Sequence, residues 1–211
     1  LEPTHAAAAA SLARALALNP NLIRARFGLG SVYLHVGLLD KASEQYQAAL
    51  RLEPGEPDIL MRIARIHLFR QEHEAALRIL RGHPELARGW QVPLALDSLG
   101  RRDEAEAVLR EAQATKGRVD AADLASVQAI LAARAGDESR AVERAKAAER
   151  DGAGSSHFHH AAYNIASAYA LLGREAEALA WLRRTADEGM PCYPLFEKDP
   201  NLNALRADPA F

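Results

Sequence analysis

Three histidines, His157, His159 and His160, form the densest group of residues that could bind a metal. Imidazole is a common ligand of zinc, copper and nickel. Residues one to three positions apart on a helix point in different directions, however, and zinc requires converging ligands. No cysteine or second histidine pair lies nearby in the sequence. The histidines directly follow a loop, residues 151–156, so we interpret them as polar residues at the start of a helix. The sequence therefore predicts no metal site.

The single cysteine, Cys192, lies between Pro191 and Tyr193. A nucleophilic cysteine needs surroundings that lower its pKa, and a lone cysteine is more often a small buried apolar residue. The sequence contains no phosphate-binding glycine loop, no nucleophile elbow and no HExxH pair. These observations predict a protein that is not an enzyme and needs no cofactor.

The overall composition limits the kinds of partner. The 211 residues include 26 basic and 28 acidic ones, a net charge of -2, so no broad positive field would attract nucleic acid or an anionic membrane. No apolar run is long enough for a membrane span and no signal peptide is visible, while a lone cysteine favours the cytoplasm. The excess of arginine over lysine and the many alanines suggest a bacterial source, and a start at Leu1 without methionine suggests a fragment or a processed chain.

A sequence repeat about as long as a pair of helices runs through the chain. Small residues recur 34, 29, 36 and 37 positions apart, at Ala42, Ala76, Ala105, Ala141 and Ala178. Five residues before each of them lies a predicted left-handed turn, at Gly37, Gln71, Gly100, Gly136 and Gly173. Proline ends a helix at Pro20 and again at Pro54. Apolar residues at steps of three and four between these markers predict paired amphipathic helices, which must stack on neighbouring pairs to bury their stripes.

The segment from Ile23 to Pro54 resembles a tetratricopeptide repeat. The matching positions are Leu29, Gly30, Tyr33, Ala42, Tyr46, Ala49 and Pro54. The resemblance implies an all-α fold, a right-handed superhelical α-solenoid of about five to six helix-turn-helix units with a C-terminal capping segment. The predicted boundaries are 4–20 for a lone second helix, 23–54, 57–82, 84–115, 120–150 and 156–188 for repeats, and 189–211 for the cap, all in a single solenoid.

Two repeats depart from the pattern. The second helix of the repeat at 57–82 is predicted to be short. In the next repeat Gly89 and Pro93 fall within the predicted first helix, where proline removes a hydrogen bond, so the sequence predicts a kinked helix and a bend in the stack. The last part of the chain, from His157 on, also resembles the C-terminal repeat region of bacterial multidomain regulators that carry a serine/threonine kinase or a winged-helix domain.

The family resemblance implies a concave groove lined by the first helix of each pair, in which a peptide or a partner protein binds. The residues that it places there are Arg24, Phe27, Ser31, His35, Met61, Arg62, Arg65, Phe69, Trp90, Gln91, Asp97, Tyr163, Asn164 and Ser167. Guanidinium groups and aromatic rings together suit an acidic or C-terminal peptide segment. Alternatively, Phe27, Phe69 and Trp90 fill gaps between repeats, and the arginines form a solvated face.

Some related repeats clamp the C-terminal carboxylate of heat-shock chaperones with lysine and asparagine. The corresponding positions here hold Phe27, Ser31, Arg62, Ala87 and Gln91, so the clamp is not present. The sequence thus predicts a protein-interaction module, with a regulatory or dimerisation tail of a larger bacterial signalling protein or transcription regulator as the alternative. The expected partner is a protein or peptide, with self-association as a further option.

Overall fold

A computed structural model describes residues 3–114, 121–155 and 157–211 of the chain. Within these residues the chain is all-helical and contains no strand. The predicted repeat boundaries at residues 115, 120 and 156 lie outside the described residues. The α-helices are α1 (Pro3–Leu18), α2 (Ile23–His35), α3 (Leu39–Leu52), α4 (Pro57–Phe69), α5 (His73–Arg81), α6 (Gln91–Ser98), α7 (Arg102–Ala114), α8 (Ala121–Arg134), α9 (Glu138–Asp151), α10 (His159–Leu171), α11 (Glu175–Asp187) and α12 (Tyr193–Lys198), followed by a 3₁₀ helix (Pro200–Leu205).

Consecutive helices pack as antiparallel pairs, α2 with α3, α4 with α5, α6 with α7, α8 with α9, and α10 with α11. Neighbouring pairs also touch, since α3 packs on α4 and α8 packs on α10. The small residue in the first turn of each second helix is buried, and each is at most 1% exposed: Ala42, Ala76, Ala105, Ala141 and Ala178. This arrangement confirms the predicted α-solenoid of helix-turn-helix units.

Every pair turns through the same left-handed residue. Positive φ angles of 80°, 63°, 75°, 76° and 71° occur at Gly37, Gln71, Gly100, Gly136 and Gly173. The amide that follows each turn residue donates to the carbonyl five residues earlier, as Leu38 N does to Tyr33 O at 2.8 Å. These bonds satisfy carbonyls that the helix end would otherwise leave unpaired. Gln71 alone among the five carries a side chain in this strained conformation.

The chain divides into two compact units. The first comprises Leu1–Ala87 and Pro191–Leu195, and the second comprises Arg88–Met190 and Phe196–Phe211. The predicted cap is therefore shared between the units: Pro194 lies against Gly37 in the first, and the 3₁₀ helix packs on α10 and α11 in the second. The prediction of a single solenoid over the whole chain stays a prediction.

The prediction of a kinked first helix in the fourth repeat is wrong. Residues 84–90 form turns, and α6 begins only at Gln91, so Gly89 precedes the helix. Pro93 then falls in the first turn of α6, where backbone amides have no partner within the helix and the missing N–H costs nothing. The result is a short helix of 8 residues in place of an interrupted longer one. The short second helix predicted for the previous repeat is α5, with 9 residues.

Among the described residues, no helix has both the length and the apolar character needed to cross a membrane.

Candidate partner-binding faces

In the first unit, α2 and α4 are joined by a cation–π contact. The guanidinium carbon of Arg62 lies 5.3 Å from the centre of the Phe27 ring. Both side chains are half-buried, and Arg24, one helical turn before Phe27, is exposed. Together with Ser31 and Met61, which are also half-buried, these residues define what we call the basic face: Arg24, Phe27, Ser31, Met61 and Arg62.

Tyr46 supports the basic face from α3. Its ring is fully buried and meets Phe27 edge-on, with ring centres 5.8 Å apart. Its hydroxyl lies 3.0 Å from Ser31 Oγ. Burial raises the pKa of Tyr46, and the hydrogen bond to Ser31 and the charges of Arg62 and Arg65 oppose that rise. Tyr46 is thus a neutral anchor that holds Phe27 and Ser31 in place.

The other residues predicted for the groove of the first unit are less accessible. Arg65 is only 4% exposed, and Phe69 is 8% exposed. His35 is half-buried. The burial of Phe69 agrees with the alternative that this ring fills space between helices. The buried Arg65 has no free guanidinium surface to offer a partner, so Arg24 and Arg62 are the cations that remain accessible on this face.

Charge is unevenly distributed between the first helices of the two units. In the first unit, α2 and α4 carry four arginines, Arg24, Arg26, Arg62 and Arg65, and one acidic residue, Asp58. In the second unit, the described first helices α6, α8 and α10 carry one arginine and two aspartates. A protein with a net charge of -2 therefore concentrates positive charge on one pair of first helices.

In the second unit, most of the predicted groove residues are buried. Gln91, Asp97, Tyr163, Asn164 and Ser167 are each at most 7% exposed. The Asn164 amide donates to Ser126 Oγ at 3.0 Å, and Ser167 donates to the carbonyl of Tyr163 at 3.1 Å. Trp90 is half-buried, and its ring centre lies 6.0 Å from that of His160.

The C-terminal segment, residues Phe196–Phe211, covers part of this surface. The rings of Tyr163 and Phe196 are stacked with centres 5.5 Å apart, and the Tyr163 hydroxyl donates to Asp199 at 2.5 Å. Arg134 donates to the side-chain oxygen of Asn201 from Nη2 at 2.6 Å. Arg134 also forms an ion pair with Asp97. Predicted groove residues on α6 and α10 are thus occupied by side chains of the same unit.

Sequence reasoning did not identify Arg134, Asp199 and Asn201 as members of this cluster. Arg134 and Asn201 are 67 positions apart, and no local pattern pairs them. The sequence Asp199-Pro200 could have indicated that a helix starts here, because aspartate before proline is typical of a helix start. Asp199 indeed caps the 3₁₀ helix by accepting from the amide of Asn201 at 2.9 Å.

The histidines lie at the start of α10, as predicted, but in different surroundings. His157 is exposed, whereas His159 and His160 are only 4% and 5% exposed. The His159 and His160 rings meet edge-on with centres 4.3 Å apart. The two imidazoles in the first turn of α10 are therefore buried, unlike that of His157.

Helix pairs that stack on neighbouring pairs define a helical-repeat scaffold. The sequence matches the tetratricopeptide repeat family over residues 5–57, 36–89 and 126–191, which is well over half of the chain. The chain therefore belongs to the tetratricopeptide repeat family. No curated protein matches the sequence.

Several solved structures are similar to this chain at low sequence identity. One is the anaphase-promoting complex hetero-tetramer Cut9–Hcn1, with a TM-score of 0.61 and 15% identity over 88% of this chain, which spans 36% of that chain. A second is a tetratricopeptide repeat protein from Parabacteroides merdae, with a TM-score of 0.50 and 20% identity, covering 91% of this chain and 76% of that chain. YrrB, described as having an unusual peptide-binding site, has a TM-score of 0.48 and 15% identity, covering 90% and 97% of the two chains.

Proposed function

We propose that this protein is a protein-interaction module that captures an acidic segment of a partner protein on the basic face. The observation that supports the proposal most directly is the Arg62–Phe27 contact, with a cation held half-exposed over an aromatic ring. Arginine and aromatic residues contribute strongly to binding hot spots. Membership of the tetratricopeptide repeat family supports an interaction role in general.

The charge and the donors of the basic face favour a carboxylate ligand. Only Asp58 offsets the four arginines of α2 and α4, and it lies in the first turn of α4. Arg62 Nε is buried, so a ligand would reach this half-buried side chain through its other guanidinium nitrogens. An arginine binds a carboxylate through two parallel hydrogen bonds, which are stronger than bonds between neutral groups. A peptide with Asp or Glu beside an apolar residue would pair with Arg24 and Arg62 and contact Phe27 and Met61.

The test compares two variants with the same change of charge. Arg24→Glu/Arg62→Glu alters the basic face, and Arg51→Glu/Arg78→Glu alters exposed arginines of the second helices α3 and α5. Fluorescein-labelled peptides of about twelve residues with none, three or six carboxylates would be titrated with each protein. We expect the wild type to bind in proportion to peptide charge and the first variant to bind at least about tenfold more weakly, since hydrogen bonds to charged groups contribute roughly 1.5–3 kcal/mol.

The control variant should keep the affinity of the wild type to within a factor of about two, because its substitutions lie on the second helices. Binding should also weaken as salt is raised, since partly exposed charges are screened. Circular dichroism melting curves would show that both variants are folded. Equal loss of affinity in both variants, or no dependence on peptide charge, would exclude the basic face as the binding site.

A further inference from the structure

The C-terminal segment is bound to the second unit by side chains, in the way that a peptide ligand is. Backbone hydrogen bonds of the described part of the segment are all local, for example from Leu202 N to Asp199 O and from Arg206 N to Asn203 O. Contact with the repeats is made by a few side chains from the first half of the segment. Most residues after Leu205 are exposed.

Tyr163 on α10 contacts two features of the segment at once. Its ring stacks on Phe196 at an angle of 10°, and its hydroxyl donates to Asp199 Oδ2. The other oxygen of Asp199 accepts from the amide of Asn201, and this hydrogen bond caps the start of the 3₁₀ helix. An aromatic residue and an aspartate three positions later are therefore recognised by a single tyrosine.

Arg134 at the end of α8 recognises the next polar residue. Both Nε and Nη2 donate to Asn201 Oδ1, at 3.2 Å and 2.6 Å. The remaining nitrogen, Nη1, is held by Asp97 of α6. Because Asp97 orients the guanidinium from the repeat side, Arg134 would keep its position when the segment leaves. Leu202 and Leu205, both fully buried, supply the apolar part of the contact.

We propose that this surface is a second peptide-binding site and that the C-terminal segment is its built-in competitor. The partner that fits is a protein segment with an aromatic residue, two variable residues and then Asp-Pro-Asn-Leu, the pattern of residues 196–202. Such a segment would place its ring on Tyr163, its aspartate on the Tyr163 hydroxyl and its asparagine on Arg134. The site lies wholly in the second unit and shares no residue with the basic face.

The attached segment sets the affinity that a partner segment must reach in order to displace it. A tethered ligand acts at an effective concentration of the order of millimolar. A free segment that makes only the same contacts would therefore bind measurably only near that concentration. A partner that makes additional contacts, or a change that loosens the tethered segment, would open the site.

The experiment uses the full chain and a fluorescein-labelled peptide with the sequence of residues 196–211. Asn201→Ala in the protein weakens the attached segment but leaves the peptide and Arg134 intact. We expect this variant to bind the peptide at least about tenfold more tightly than the wild type, because the competitor is weakened. Asn203→Ala is the matched control, since Asn203 is exposed and bonds only to Arg206 of the same segment; it should give no gain.

Adding Arg134→Ala to Asn201→Ala should remove the gain, because the peptide then loses its anchor. The proposal is overturned if the folded Asn201→Ala chain binds the peptide no better than the wild type, or if the Arg134→Ala change has no effect. Hydrogen exchange of the wild type gives an independent test that needs no variant. Amides of residues 201–206 should exchange by a local opening, faster than those of α8 and α10, whereas exchange only through global unfolding would contradict a displaceable segment.

Discussion

Two glycines of α2, Gly28 and Gly30, have opposite surroundings within one helix. A Cβ atom on Gly30 would lie 2.8 Å from Cε1 of the buried Tyr46 ring, which cannot move without disturbing Phe27 and Ser31. A Cβ atom on Gly28 would meet only the tip of Leu12, at 3.3 Å. The tip of a leucine can shift, whereas the fully buried Tyr46 ring is held against Phe27 and Ser31 of α2 and cannot.

We therefore predict that Gly30→Ala and Gly28→Ala change stability in opposite directions. Alanine in place of a glycine within a helix stabilises by up to about 1 kcal/mol, and that gain should appear at Gly28. At Gly30, overpacking should outweigh the gain and lower the free energy of unfolding by about 1–3 kcal/mol. Urea unfolding followed by circular dichroism measures both. A stabilising Gly30→Ala would show that Tyr46 does not pack as described.

Gln71 adopts the left-handed conformation with a side chain, which has a steric cost that is absent at the four glycine turn residues. A side chain in the left-handed region costs roughly 1–2 kcal/mol, while glycine loses more backbone entropy on folding. We predict that Gln71→Gly raises the free energy of unfolding by about 0.5–1 kcal/mol. Gly173→Ala is the reverse case: a Cβ there has open space around it, so any loss of stability would come from its φ of 71° alone.

At the scale of elements, the ion pair between Asp97 and Arg134 links α6 to α8. The Asp97 side chain is 2% exposed, and its other partner, Arg102, lies 3.7 Å away. Removing one partner of a buried pair leaves an uncompensated charge and costs about 3–5 kcal/mol. Arg134 is partly exposed, at 19%, so solvent reduces that cost.

We accordingly expect Arg134→Ala to lower the free energy of unfolding by about 2–3 kcal/mol. Asp97→Asn/Arg134→Ala should lose less than the two single changes added together, because the double variant contains no buried carboxylate that has lost its nearer partner. Thermal melts of the four proteins form the cycle that measures the coupling. Strict additivity would mean that the pair does not join the two helices.

The elements themselves were largely readable from the sequence. The turn residues and the buried alanines follow from spacing alone, because a left-handed residue and a small residue are required at each helix pair. The start of α6 was misread, since nothing local shows that residues 84–90 form turns and that Pro93 begins the helix. The sequence predicts Arg65 as a groove cation from its helical position, but it does not show that residues distant in the sequence bury this side chain.

At the scale of the whole chain, residues 191–195 pack in the first unit, far in sequence from its other members. Cys192 is buried there, and burial raises the pKa of its thiol from 9.0 to about 12. The folded protein thus favours the neutral thiol. The contribution of this buried thiol to the stability of the folded protein is fully present below pH 9, the ordinary pKa, and is lost as pH rises toward 12.

This burial predicts a pH dependence that one substitution should remove. Between pH 8 and pH 10.5 the wild type should lose about 2 kcal/mol more unfolding free energy than Cys192→Ala, from the free-energy equivalent of the pKa shift. Urea unfolding of both proteins at both pH values measures the difference. The subtraction cancels the tyrosine and lysine titrations that the two proteins share. Identical losses would place Cys192 in a more solvated position than the structure shows.

The candidate sites were only partly readable at this scale. Phe27 and Arg62 could be proposed because the family resemblance places their positions on first helices in the groove. The contacts of Tyr163 with Phe196 and Asp199 could not be predicted, because Tyr163 and Asp199 are 36 positions apart and no local sequence pattern pairs them.

The division of the first unit between Leu1–Ala87 and Pro191–Leu195 also bears on how the protein matures. Domains generally fold during synthesis from the N-terminus onward. Here the ribosome must make the Arg88–Met190 part of the second unit, and then the chain as far as Leu195, before the first unit has all of its parts. The unit whose helices are made first therefore waits for a segment that is made only after Arg88–Met190, and until then Gly37 lacks its contact with Pro194.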